Sequence, residues 1–331
     1  MPLSNFHEVK KTAWDVVAEI FGLTLNTPIS GTPSANTVLL GDGSWGLVNQ
    51  NRYSCGRLSL TSGTAVTTAD VTAATSIKHV PYRGNSMTVY DSSISNYKDI
   101  NFSTEGSITV PSTTNNGFDC WVRLNSGALA YDTTNWTNNT TRATALATDS
   151  ATGIKYKTGD QTRSYIGSAL TTGVSGQTED SVTKRYLWNH FNRVWRPMYS
   201  KAVSVIWTYT TNTFRQMDAA GTPPQINFIQ GLSETPVWSV AMGTGVNDTT
   251  AGTSAIGIGL DSTTTDISTL RVPGFILNLG IQLPFIAVAL GFPSEGYHYA
   301  TPLEKSHGAG ITTWVGVTTE IQSGILGWLY G

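Results

Sequence analysis

Two hydrophobic periods organise the chain. Over residues 5–22 the apolar positions recur at helical spacing: Val9, Ala13, Val16, Val17, Ile20 and Phe21 form a stripe, with Trp14 beside it. Asn5 stands at a capping position with Glu8 three residues on, and Gly22 follows the last apolar residue, so the pattern predicts one short helix. From Arg57 onward the period is two. Residues 56–63, 76–82, 86–91, 98–102, 107–111, 119–125, 127–131, 143–148, 154–156 and 165–171 read as short strands spaced by Gly, Asn, Asp and Ser turns. A second run follows Pro197, at residues 202–210, 225–230, 237–243, 255–260, 274–279, 284–290, 296–302, 310–316 and 322–327. Short strands between turn residues predict antiparallel sandwiches or barrels, and about eight strands in the second run fit a jelly roll.

The expected fold is therefore all-β. It has an N-terminal helix and linker over 1–54, a β-sandwich over 55–196 and a jelly-roll-like domain over 197–331. Residues 202–210 read as the strongest strand. Residues 255–260 alternate large side chains with glycine, which lets another backbone approach closely. Residues 273–293 are the most hydrophobic, but Asn278, Gln282 and Pro284 break the run, so it predicts buried strands and not a membrane helix. Several of these strands are apolar at consecutive positions and need cover on both sides. In a single small sandwich the outer face would have to meet another subunit.

The densest stretch is 176–198. A polar opening (Gly176, Thr178, Asp180, Ser181) leads into Arg185, Tyr186, Trp188, Phe191, Arg193, Trp195 and Arg196, and the stretch stops at Pro197. A planar guanidinium can stack on a ring and still bond a carboxylate or carbonyl. The stretch is expected to be a structural seam between the two β domains, carried by Arg185, Trp188, Asn189, Asn192 and Arg193.

Composition narrows the function classes. Charged residues make up 13% of the 331, about half the usual share, and 49 threonines and 33 glycines fill the gap. Net charge is −2, so no broad basic face is expected, and neither nucleic acid nor membrane insertion is an expected partner or role. Cys55 and Cys120 allow one bridge or two buried thiols. His7, His79, His190, His298 and His307 show no metal-type spacing, and there is no nucleophile elbow, phosphate loop or dinucleotide fingerprint. Neither a catalytic residue nor a cofactor or metal is expected. Carboxylate pairs such as Asp218 with Glu234, or Glu295 with Glu304, could cleave sugars only if the fold brought them together across a cleft. Asp15 and Glu19 interrupt the apolar run after Lys10 and Lys11, so it does not read as a signal peptide. The expected product is cytoplasmic, or leaves the cell by another route such as lysis. Of the tryptophans spread through the β regions, two or three are expected to be exposed, and loops at 212–224 and 243–266 are the expected recognition surface.

Three blocks then suggest a family. The first runs from Trp136 through Arg142 to Leu146. The second holds Gly159, Asp160, Thr162, Arg163, Tyr165 and Gly167. The third holds Gln177, Thr178, Glu179, Asp180, Ser181, Lys184, Arg185, Tyr186, Trp188, Asn189, Asn192, Arg193 and Val194. Together they resemble a block seen in structural proteins of tailed bacteriophages and prophages, of the tail-fibre or head-fibre type, and the resemblance covers about residues 55–200 of this chain. Residues 40–45, Trp314 and residues 322–325 are similar to shorter parts of such proteins. The resemblance implies a virion location and a homotrimer. It implies an N-terminal segment that docks on other virion proteins through Trp14, Val17, Ile20 and Phe21, and a C-terminal domain that touches the host surface, a glycan being the expected ligand. It carries no catalytic residues. A head decoration or collar protein without receptor binding is the alternative, and a polysaccharide depolymerase the second.

Overall fold

The structure is a computed structural model. It describes residues 54–247, 252–272 and 282–331, together with the strands Thr37–Leu39, Trp45–Leu47 and Gly274–Ile276. The predicted helix, with Trp14, Val17, Ile20 and Phe21, lies outside the described residues. The chain forms two compact units, Met1–Asn51 and Arg52–Gly331. In the first, Thr37–Leu39 pairs antiparallel with Trp45–Leu47.

The second unit is all-β among the described residues. Its first half builds on Gly117–Asn125, which pairs with Ala128–Asn135 on one side and Asp160–Leu170 on the other. The strands Gly56–Ser59, Ser76–Pro81 and Gly106–Thr109 form a second sheet, and Ser86–Asp91 folds back on Asn96–Asn101. Leu58, Ile77, Met87, Ile108, Phe118, Val122 and Ile166 share one core between them.

The longer strands of the later half fall into two sheets. One runs Trp195–Lys201, Gly324–Tyr330, Val237–Asn247, Leu283–Gly291, with Leu270–Val272 beyond. The other runs Ile226–Gln230, Gly296–Lys305, Gly252–Leu260, Gly274–Ile276. The sheets bury their facing sides together: Ile226, Phe228, Ile256 and Ile258 meet Ala241, Phe285, Ala287, Ile325 and Leu329. That core also contains Trp121, Tyr165 and Trp188. Moreover, Lys184–Arg185 extends the second sheet by pairing in parallel with Ile226–Gln230. Core and sheet thus run through the expected boundary at 196/197 without a break.

Three local expectations change. The strand expected at 202–210 shrinks to Ile206–Tyr209. The Asp218 carboxylate takes the backbone N–H groups of Val203 and Ser204 (3.3 and 3.1 Å), and this bends the chain from the Gly324–Tyr330 strand onto Thr312–Val315. The expected loop 243–266 is mostly strand, because residues 243–247 end one strand and Gly252–Leu260 forms the next. Within 212–224, Arg215–Gln216 is strand, and Met217 and Asp218 are fully buried. The close approach expected at 255–260 is present: a Cβ on Gly259 would lie 2.0 Å from the Ser262 carbonyl oxygen. Cys55 and Cys120 are free thiols.

Candidate functional site

The 176–198 stretch opens as a strand, Thr178–Asp180, and not as the expected turn; its acids face inward. The Asp180 carboxylate accepts Arg185 Nη1 at 2.9 Å and Arg196 Nη2 at 2.6 Å, with all three groups buried. Arg185 also donates to the Pro197 carbonyl (3.2 and 2.7 Å), and Arg196 donates to the Thr67 carbonyl (2.7 Å). Pro197 does not end the stretch. It sits within an edge strand, where its missing N–H costs no ladder bond. A third buried guanidinium, Arg57, donates to the carbonyls of Asn192 and Gly331, both at 2.7 Å. Burial, then the nearby charge of Arg196, pulls its pKa down to about 10.

Asn189 and Asn192 tie this stretch to Gly56–Ser59. Asn189 accepts the Leu58 N–H at 2.6 Å and donates to the Leu58 carbonyl at 3.3 Å. Asn192, in the left-handed region at φ 52°, donates to the carbonyls of Ser54 and Gly56 (3.0 and 2.9 Å). Trp188 is fully buried against Gly231, where a Cβ would lie 2.1 Å from the indole. Arg193 stacks over Trp188 and Tyr330 at 5.0 and 5.6 Å and reaches Glu234 at 3.2 Å. Asn189 and Asn192 thus hold the Gly56–Ser59 strand, Arg193 stacks on Trp188, and Arg185 belongs to the Asp180 cluster, all within one unit. Asn189→Ala orphans a buried backbone donor and should cost about 1–3 kcal/mol in the urea unfolding midpoint.

Arg142 forms a second clamp across the unit. Its Nε meets both Asp119 oxygens (3.1 and 3.0 Å) and its Nη1 meets Glu295. Its Nη2 donates to Tyr165 Oη, Ser168 Oγ and the Gly231 carbonyl (3.2, 3.2 and 2.5 Å). The guanidinium lies 4.7 Å from the Trp136 ring centre. Burial raises the Asp119 pKa, and Arg142 opposes that shift.

The acids paired from sequence each have a local partner. Glu295 holds Arg142, Glu234 holds Arg193 and Asp218 holds backbone. Glu304 is fully buried. It accepts Trp207 Nε1 at 2.5 Å and Arg215 Nε at 2.8 Å, and desolvation lifts its pKa to about 7. His298 sits between Asp261 (2.6 Å) and the Ser294 carbonyl (2.9 Å). Desolvation lowers His79 to about 4 and His190 to about 3, the latter also through Arg193. Among the described residues no group of three or more His, Cys, Asp or Glu is placed to hold a metal ion. An open cleft of about 290 Å³ lies between residues 100–106 and 127–131. Its Glu105 carboxylate is held by Ser62 Oγ and the Gly63 N–H (2.7 and 2.8 Å).

These shifts fix a pH profile. The folded Glu304 pKa is raised, so its stabilisation is complete below its unfolded value and is lost as pH rises towards 7, by about 3 kcal/mol. The folded pKa values of His79 and His190 are depressed, so each contributes stability above 6.5 and loses it as pH falls towards 4 and 3. Two histidines outweigh one glutamate at acid pH, so thermal stability should peak near pH 6–7. In Glu304→Gln the rise from pH 5 to 6.5 should be steeper and the fall between about pH 6.5 and 7.5 should be absent.

The outward side of the Trp195–Lys201, Gly324–Tyr330, Val237–Asn247, Leu283–Gly291 and Leu270–Val272 sheet is the other unusual feature. Along Val237–Asn247 burial alternates strictly, with Val237, Ser239 and Ala241 inward and Trp238, Val240 and Met242 outward. Trp238 stands opposite Trp328 and Leu290, Val240 opposite Leu326 and Val288, and Met242 opposite Ile286. Pro197 and Tyr199 continue the rows past Trp328 and Leu326, and Leu270 and Val272 past Val288 and Ile286. Trp238 stacks on Trp328 with centroids 4.8 Å apart, and Trp195 lies 5.1 Å from Tyr330. Leu270 is 68% exposed, Val272 60%, Trp195 56% and Leu290 54%, so nothing in the chain's described residues covers them. Lys201 stands at the rim. The recognition surface expected from sequence lies on loops, whereas this face lies on strands. Its signal was the run of apolar residues at both parities in 237–242 and 283–290.

No family model and no curated protein matches the chain. Among solved structures, the insecticidal delta-endotoxin Cry8Ea1 from Bacillus thuringiensis is similar over 83% of this chain and 52% of its own, at 9% identity and TM-score 0.23. A Bacillus thuringiensis Cry1Da tryptic core variant is similar over 78% and 48%, at 8% identity and TM-score 0.21. The chain spans about half the length of these structures. Overlaps of this quality do not mark a shared fold, and the function is read from the residues.

Proposed function

We propose that this protein is a non-enzymatic structural component of a tailed-phage particle, a fibre or spike built from three copies of the chain. The N-terminal segment docks on other virion proteins through Trp14, Val17, Ile20 and Phe21. The C-terminal part of the chain contacts the host surface, with a glycan as the ligand. The observation that carries the proposal is the direction in which the resemblance blocks aim their polar groups. Arg142, Arg185, Asn189 and Asn192 bond to other parts of the same chain, as a scaffold requires. The strand order of the later half adds support. Eight of its strands, leaving aside four short ones, run first, eighth, third, sixth in one sheet and second, seventh, fourth, fifth in the other, an order that supports a jelly-roll reading, a fold used by capsid and lectin domains.

Deleting residues 1–50 should abolish incorporation into particles and leave a soluble oligomer; loss of the oligomer instead would contradict the docking role. The decoration or collar reading gains from one observation, that most of the expected recognition loop at 243–266 is strand. Binding of the purified protein to host cells or their surface polysaccharide separates the two. Absence of binding at micromolar concentration favours decoration.

A further inference from the structure

We infer that the uncovered face of the sheet centred on Val237–Asn247 is where copies of this chain meet. The inference rests on the proposed assembly of several copies and names the surface that makes it. It does not depend on the particle to which the assembly belongs.

Chemistry selects the kind of partner. Apart from Lys201 at the rim, the face is built from Trp195, Tyr199, Trp238, Leu290, Leu270 and their apolar row neighbours. Fully buried interface cores are depleted in charge and enriched in aromatics and methionine, which describes this surface. A glycan site needs donors and acceptors beside its rings. Here the outward polar groups are little more than the hydroxyls of Tyr199 and Tyr330. A surface that lies on anionic lipid carries a basic border, and Lys201 alone does not make one.

Size selects a stable contact over a passing one. Four strands of seven to eleven residues, about 4.8 Å apart and rising about 3.3 Å per residue, with the three-residue Leu270–Val272 beyond them, make a face of about 20–24 by 23 Å. With side chains projecting from it, such a face offers roughly 700–800 Å² of accessible surface. That is what each partner contributes to a standard stable interface, about 800 Å². Monomers seldom leave a contiguous apolar patch this large in water.

Self-complementarity points to a second copy. Twisted sheets pack face to face about 10 Å apart when both facing sides are apolar. The face also divides into an aromatic side (Trp195, Tyr199, Trp238, Trp328, Tyr330) and an aliphatic side (Ile286, Val288, Leu290, Leu270, Val272), with Val240 between. A closed ring of three copies sets the large flat rings of one copy on the branched chains of the next. One surface then supplies both halves of the contact.

The test is sedimentation and native mass of the full chain at micromolar concentration, with Met242→Asp and Leu290→Ser as separate variants. Both positions point outward, so circular dichroism and melting should show the fold retained; Leu290→Ser is the milder change should Met242→Asp misfold. The wild type should be an oligomer, and a charge at Met242 should weaken it about a hundredfold or more. A wild-type monomer overturns the inference, as does an oligomer that both folded variants leave unchanged. So does a monomer whose face binds lipid vesicles or polysaccharide. Presence in particles is scored separately. A monomer found in particles sinks this inference and leaves the virion assignment standing, and an oligomer missing from particles does the reverse.

Discussion

Asp180→Ala should destabilise the folded chain by about 3–5 kcal/mol, read from the urea unfolding midpoint. The carboxylate is the common acceptor for Arg185 and Arg196, and all three groups are buried. Truncation leaves two guanidinium groups out of water with carbonyls as their partners, and Arg57 adds a third positive charge close to Arg196. Removing one member of a buried ion pair costs more than the pair contributes, because the remaining charge is neither solvated nor matched. Asp180→Asn keeps the shape and one acceptor, so its loss should be smaller. Equal stability of Asp180→Ala and wild type would mean that water reaches the cluster.

Trp188→Ala should cost about 3–5 kcal/mol. The indole is wholly buried, lies flat over Gly231 and belongs to the core that joins residues before and after 196. Its Nε1 makes no hydrogen bond within the described residues, so the penalty is packing and cavity, not a lost polar partner. Arg193→Ala provides the contrast. Arg193 covers the same ring but bonds a half-exposed Glu234, and exposed pairs contribute about 1 kcal/mol or less. If the two variants melted alike, Trp188 would not be the anchor its burial indicates.

Much of the β architecture was legible because it is local. Alternation in 86–91 and 119–125, with Gly, Asn and Ser at the turns, marks strands close to those present. What failed was what depends on distant partners. Residues 202–210 have strong strand propensity, yet Asp218 captures two of their N–H groups and bends them. Asp180 reads as a turn residue until Arg185 and Arg196 are seen to converge on it. The boundary at 196/197 followed a change in the pattern, but Lys184–Arg185 pairs across it with Ile226–Gln230. The residue types of 185–193 announced a densely bonded stretch: Arg193 stacks on Trp188, and Asn189 and Asn192 bond the Gly56–Ser59 strand. That Asn189 caps the backbone of Leu58, 131 residues away, was not legible. The apolar face was half legible. Side chains apolar at both parities announce a strand that wants cover on two sides. Which strands stay uncovered is decided by sheet order, and local sequence does not encode it.

The central claim is that this chain is a working part of a virus particle, and imaging of purified particles tests it most directly. A small tag placed in the exposed turn at residues 149–153, followed by labelled electron microscopy, should put label at a fixed appendage on every particle. Particles that assemble and infect with no label, from cells that make the tagged protein in full, would contradict the account.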